Sequence, residues 1–173
     1  MRKVAFLIIG LLSLGMFCAC SNEDETVNVY VPIEEGEDYA AIANFFNLEL
    51  SSDIYSQGFL VDSQNSTNVG EEVCKIINSR KELKDIYSGD KDLPEIDFTK
   101  YTLIVGYIIM PDLGNNCVRQ ELVYTTTSSS PVLNLYVKNE NEYKPTVIST
   151  LYFWGLYPKM QHSKISVTIH KGL

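Results

Sequence analysis

The sequence predicts an α+β domain: a mainly antiparallel β-sheet with one or two short helices packed on it. Three observations lead there. Ser79-Arg80-Lys81-Glu82 has capping-box spacing and opens a short helix. Leu103–Met110 is almost continuously apolar, the pattern of a central strand covered on both faces. Several short segments with brief links follow it, the order of consecutive strands and not of βαβ units.

Taken in chain order, Thr26–Val31 alternates and predicts an edge strand. Asp38–Asn47 places Ala41, Ile42, Phe45 and Phe46 on one side at helical spacing, a first short helix. Ile54–Val61 reads as a strand and Asp62–Gly70 as a polar loop. Val73–Ile77 is a strand that runs into the helix capped by Ser79 and Glu82. Leu83, Ile86 and Tyr87 form the apolar face of that helix, and Gly89 is its expected stop. Pro94–Lys100 connects to the central strand, and Pro111–Asn116 has strong turn chemistry. Cys117–Thr126 and Val132–Val137 then form a hairpin through Ser128–Pro131, with Leu133, Leu135 and Val137 alternating against Asn134 and Tyr136. Asn139–Tyr143 is a polar loop, and Leu151–Leu156 is an aromatic, apolar segment ended by Pro158. The last element is the cleanest alternation: Ile165, Val167 and Ile169 inward, Ser166, Thr168 and His170 outward.

The N-terminus reads as an address. Arg2 and Lys3 precede an apolar run from Val4 to Leu14, followed by Gly15-Met16-Phe17-Cys18-Ala19-Cys20. A basic start, an apolar run of this length and a small residue before the cut describe a secretory signal over 1–19, not a membrane span. These residues resemble a bacterial lipoprotein signal, with Phe17 where leucine is usual. The resemblance makes Cys20 the acylated first residue and the anchor to the membrane. Glu23, Asp24 and Glu25 follow directly, similar to the export tag of Bacteroidetes-type lipoproteins. That implies an outer-membrane location facing the cell exterior. Residues 20–37 are read as an acidic tether and 38–173 as a single domain.

Composition narrows the partners. Loss of Arg2 and Lys3 with the signal would take the formal charge from −8 to about −10. Such a surface repels nucleic acid and anionic head groups and keeps the chain soluble. Of four cysteines, Cys74 and Cys117 remain outside the signal and anchor. In an exported protein they form either a disulfide or two buried thiols, and lone cysteines do not decide between these. Neither has metal-ligand neighbours at the required spacing, and no metal or other cofactor is expected.

The order from residue 72 to 170 resembles a known arrangement. A strand, the helix Ser79–Tyr87, the phrase Asp97-Phe98-Thr99-Lys100-Tyr101 and an apolar strand are similar to the C-terminal domain of PrcB-like protease-stability proteins. They also resemble a group of Bacteroides-type lipoproteins. Where that family has Gly-Gly-Tyr after the central strand, this chain has Gly114-Asn115-Asn116. The resemblance implies a small non-catalytic domain that supports or binds another protein.

Candidate chemistry is sparse. Nucleophilic catalysis needs a base beside the nucleophile, and only His162 and His170 are present, in polar settings typical of surface histidines. Cys117 follows a turn and lies near Arg119, a setting that favours a reactive thiol; the commoner role of such a cysteine is a disulfide or a buried thiol. Asp90, Asp92, Glu95 and Asp97 cluster around Pro94. That pattern usually marks a solvated loop and lacks the rest of a calcium loop. Asp97 has a second role available, fixing the loop into the central strand.

The most distinctive phrase is Tyr152-Phe153-Trp154-Gly155-Leu156-Tyr157-Pro158. Alternation puts Tyr152 and Trp154 on one face, and Gly155 permits close approach. The common role of such a tryptophan is to plug the core. The functional role is a docking patch of Tyr152, Trp154 and Tyr157, with Gly114, Asn115 and Asn116 as a second element. The expectation is therefore a surface-anchored, non-enzymatic module that engages another protein as a protease accessory or inhibitor. The alternative is a glycan-binding accessory of a surface polysaccharide-uptake system.

Overall fold

A computed structural model describes residues 26–50, 59, 70, 72–110, 115–125, 130–139 and 148–171. The fold is α+β and mainly antiparallel, as the sequence predicts. Its elements are β1 (Val27–Tyr30), α1 (Tyr39–Glu49), β2 (Glu72–Ile77), α2 (Arg80–Ile86), β3 (Tyr101–Met110), β4 (Asn115–Thr125), β5 (Val132–Asn139), β6 (Ser149–Pro158) and β7 (Ser166–Lys171). The residues expected to form the signal and anchor, most of the strand expected at Ile54–Val61 and residues 140–143 of the loop expected at Asn139–Tyr143 lie outside the described residues, while Asn139 itself ends β5.

The strands divide into two sheets, where the sequence suggested one. The outer sheet has the order β1-β4-β5-β7 and the middle sheet β2-β3-β6. All pairings are antiparallel except β5 with β7, which is parallel. The reason for the split lies in β3, where every residue from Thr102 to Met110 is buried. A strand without a wet face needs cover on both sides. Ile104, Ile108 and Met110 meet Leu122, Leu133, Leu135 and Val137 of the outer sheet. Leu103, Val105, Tyr107 and Ile109 face the opposite way, onto Ile42, Phe45 and Phe46 of α1 and Leu83 of α2. The result is three layers: outer sheet, middle sheet, helices.

Close approach in the middle sheet depends on one glycine. Gly106 pairs with Phe153 across β3 and β6, and a Cβ there would collide with the Phe153 ring and the Val73 carbonyl oxygen. Thr102, fully buried, donates to Asn78 Oδ1 at 2.6 Å and accepts from the Met160 N–H at 2.9 Å, so its hydroxyl is satisfied on both counts.

Both helices follow the expected apolar spacing, with corrections at their ends. In α1, Ile42, Phe45 and Phe46 are buried while Ala41 is exposed. Ser79 caps α2 by accepting from the Glu82 N–H at 3.2 Å, but Glu82 Oε2 accepts from the Asn78 N–H, so the reciprocal bond is displaced one residue upstream. Gly89 is not the helix stop. Tyr87 already turns extended (φ −117, ψ 119) and bridges to Phe59. Gly89 matters because a Cβ there would strike the Tyr87 ring. Tyr87 donates to Glu49 Oε2 at 3.0 Å, and Lys91 Nζ lies 2.7 Å from Glu49 Oε1, which satisfies a carboxylate that is only 12% exposed.

Candidate functional site

The chain folds onto the domain well before Asp38, where the sequence reading starts it. β1 pairs with β4 at one edge of the outer sheet, and the Ile33 N–H donates to the Leu156 carbonyl at 2.7 Å. Residues 31–35 thus form a strap along the outer edge of β6, which among the described residues has a strand partner only in β3. Edge strands leave a row of backbone groups open. Here the strap covers the Leu156 carbonyl, and Gln120 Nε2 covers the Trp154 carbonyl at 2.9 Å. Gln120 Oε1 also accepts from the Tyr157 hydroxyl at 3.3 Å, so one side chain spans the two sheets.

Trp154 projects from β6 towards α1. Its ring stacks on Phe46 (centroids 5.0 Å apart, 25°) and more loosely on Tyr39 (6.3 Å, 30°). Its indole N–H donates to Asn47 Oδ1 at 3.0 Å. Two adjoining concavities lie along the strap. The larger, about 610 Å³, is lined by Val31, Pro32, Ile33, Glu34, Glu35, Arg119 and Gln120. The smaller, about 190 Å³, adds Tyr39, Asn47, Trp154, Gly155 and Leu156 to Pro32, Ile33, Glu34 and Gln120. Burial and the nearby Glu34 carboxylate both push the Tyr39 hydroxyl pKa up.

The expected patch is only partly assembled. Tyr152 and Trp154 do share a face, with Tyr152 beside Tyr107 at 6.2 Å. Tyr157 is not on any rim: it is fully buried on the opposite face of β6, between the sheets. Parity is the reason, since odd and even residues of a strand point to opposite faces. Gly155 does admit a close neighbour, namely the chain's own Pro32 and Tyr157. Asn115 and Asn116 do not close a turn; they extend β4 opposite Asn139 and Lys138, in the sheet that lacks Trp154. Gly114, Cys20, Glu23, Asp24 and Glu25 lie outside the described residues.

Cys74 is a free thiol packed against the core between the sheets, and burial, then Glu72, pushes its pKa up to about 12. A thiol so placed is a poor nucleophile near neutrality. The Cys117 backbone pairs with Val137 in β4, and its side chain is outside the described part. His170 stacks on Tyr136 at 4.7 Å and meets Asn134 Oδ1 at 3.0 Å, while His162 sits against Tyr124. Arg119, the cross-strand partner of Tyr136 in β4, places its guanidinium 4.0 Å from the Tyr136 centroid. Glu121, which accepts from the Tyr136 hydroxyl at 2.8 Å, raises that hydroxyl's pKa. Asp97 accepts from the Thr99 N–H and hydroxyl and pairs with Lys100, which hold its carboxyl below the usual range; it fixes the turn into β3. Glu95 pairs with Arg80 at 2.8 Å. Among the described residues no group of three or more His, Cys, Asp or Glu side chains could hold a metal ion.

Sequence reasoning missed Gln120, Asn47, Tyr39 and the strap. Asn47 follows directly on Phe45-Phe46 inside α1 and Gln120 lies between two charged residues in the middle of β4, so each is a polar residue within its element with no local signature. No protein-family model, curated protein or solved structure matches this chain.

Proposed function

We propose that this chain is a surface-anchored lipoprotein whose domain binds another protein, acting as an accessory or inhibitor and not as a catalyst. The observation that carries this reading is the groove between the strap and β4, continuous with the cleft over Trp154. The strap is fed by edge strand β1, whose Val27 and Val29 are exposed together with Val31 at the groove's mouth (57%, 56% and 59%). An edge strand presenting a row of aliphatic side chains beside a groove suits an extended protein segment. The lipid anchor at Cys20 and the acidic export residues would hold this surface close to the outer membrane, among other exported proteins.

A glycan-binding role has the Tyr39–Trp154 pair in its favour, since sugar rings stack on aromatic faces. It is the weaker reading. Trp154 stacks its ring on Phe46 and commits its N–H to Asn47, and Tyr157 is buried.

The test is crosslinking and capture of the native lipoprotein from whole cells, followed by mass spectrometry. One abundant protein captured by the wild type, and lost when Val31 and Glu34 are replaced by Lys, is the expected result. Recovery of bait alone, with retention on surface glycans, would overturn it.

A further inference from the structure

We propose that the smaller cleft takes a cationic side chain, lysine or arginine, from an extended basic segment of the partner lying in the larger groove. This deepens the protein-binding reading above and rests on it. The two concavities share Pro32, Ile33, Glu34 and Gln120, so one extended chain can occupy both. At about 190 Å³ the cleft holds roughly six waters' share of liquid volume, space for one long side chain and too little for a folded element.

Its walls define the occupant's charge. Tyr39 and Trp154 line it with aromatic surface, their rings stacked on each other 6.3 Å apart and Trp154 also on Phe46, which suits the methylene stem of a long side chain and leaves its charged head to Glu34. Glu34 stands beside them and Glu35 lines the adjoining groove. Among the described residues no Lys, Arg or His lines the smaller cleft, so an anion would meet a carboxylate without a counter-charge. Among the described residues Arg119 is the single basic one in the larger groove, and its guanidinium lies over Tyr136 and 3.5 Å from Glu121. Glu37 and Asp38 precede the first turn of α1, where the helix dipole favours them. Glu34 and Glu35 lie beyond that turn and face the groove instead. The backbone acceptors at the cleft's edge, Trp154 and Leu156, are already engaged by Gln120 and Ile33, so side-chain charge and apolar ring surface are the chemistry left to offer.

Trp154 is the chain's single tryptophan and reports occupancy directly. The full lipoprotein in detergent is titrated with the blocked peptide Val-Lys-Val-Lys-Val, and with counterparts carrying norleucine or glutamate for lysine, while Trp154 fluorescence is followed. Maltoheptaose serves as the neutral sugar. The expected result is a saturable change with the lysine peptide alone, at least about tenfold weaker in Glu34→Gln/Glu35→Gln, and weaker again as salt is raised from about 50 to about 500 mM. Both glutamates are exposed, so that variant keeps the fold. Equal binding of the norleucine peptide, tighter binding of maltoheptaose, or an unaffected Glu34→Gln/Glu35→Gln variant would each overturn the proposal. Cell capture separates this failure from that of the wider reading. A partner retained by Glu34→Gln/Glu35→Gln overturns the cationic occupant and leaves protein binding standing. Peptide binding with no partner captured supports the cleft chemistry while the wider reading fails.

Discussion

The indole N–H of Trp154 donates to Asn47 Oδ1 at 3.0 Å, joining residues 107 positions apart. That bond ties the outer edge of the middle sheet to the last turns of α1, and the Phe46 ring stacked on Trp154 completes the junction. The cleft beneath the strap is therefore walled by a helix and a strand, and its aromatic wall is held in one orientation.

Asn47→Ala should cost about 1 kcal/mol, the net worth of a hydrogen bond at a partly exposed site. It should also broaden the Trp154 emission, because the indole loses its fixed partner. Trp154→Ala should cost more, about 3 kcal/mol, from lost packing on Phe46. Urea unfolding followed by circular dichroism measures both. Equal losses for the two variants would mean that the stacking contributes nothing beyond the hydrogen bond.

Gly106→Ala should destabilise by about 3 kcal/mol or prevent folding, since the added Cβ meets both the Phe153 ring and the Val73 carbonyl oxygen. Adding Phe153→Leu should give back only part of the loss, because the backbone clash with Val73 remains. Full recovery in the double variant would mean that β2 shifts freely, contrary to its pairing with β3 from Glu72 to Ile77.

Cys74 should resist iodoacetamide at pH 7 and react only after unfolding, as its thiol pKa is pushed up to about 12 from an ordinary 9.0. A raised folded-state value means the unfolded chain loses its proton first. The contribution to stability is then complete below about pH 9 and is lost as pH rises through about 12. Subtracting the Cys74→Ala stability curve from the wild-type curve isolates this alkaline loss. A flat difference between pH 8 and about 11 would show that the thiol is not desolvated.

If the proposed lipid anchor is in place, Cys20→Ala should move the protein from the membrane fraction to the soluble fraction, since that reading makes acylation of Cys20 the anchor. Neutralising Glu23, Asp24 and Glu25 together should protect it from protease added to whole cells while leaving it membrane-bound. Continued membrane fractionation of Cys20→Ala would exclude the lipid anchor.

Much of the architecture was legible because it is written in local periodicity. The apolar run of β3, the alternation of β5 and β7 and the side-chain cap of Ser79 each follow from residues within one element. Local rules also put Tyr152 and Trp154 on one face. Applied with the same parity they put Tyr157 on the other, between the sheets, so its expected place on a rim was an error of reading and not of information.

Other features depended on distant neighbours. Gly89 has the look of a helix stop, yet its role is set by the Tyr87 ring folding back onto it. Asn115 and Asn116 have turn chemistry, yet pairing with β5 draws them into β4. By itself the sequence determined the fold class, the order of the elements, the buried central strand and the acidic surface, because these depend on spacing and composition along the chain. Only the tertiary structure decided that the strands divide into two sheets, that residues 31–35 strap the edge of β6, and that Glu34, Tyr39, Gln120 and Trp154 line one cleft. Burial and edge pairing depend on which elements meet in space, and no short-range pattern encodes contacts between residues so far apart in the chain.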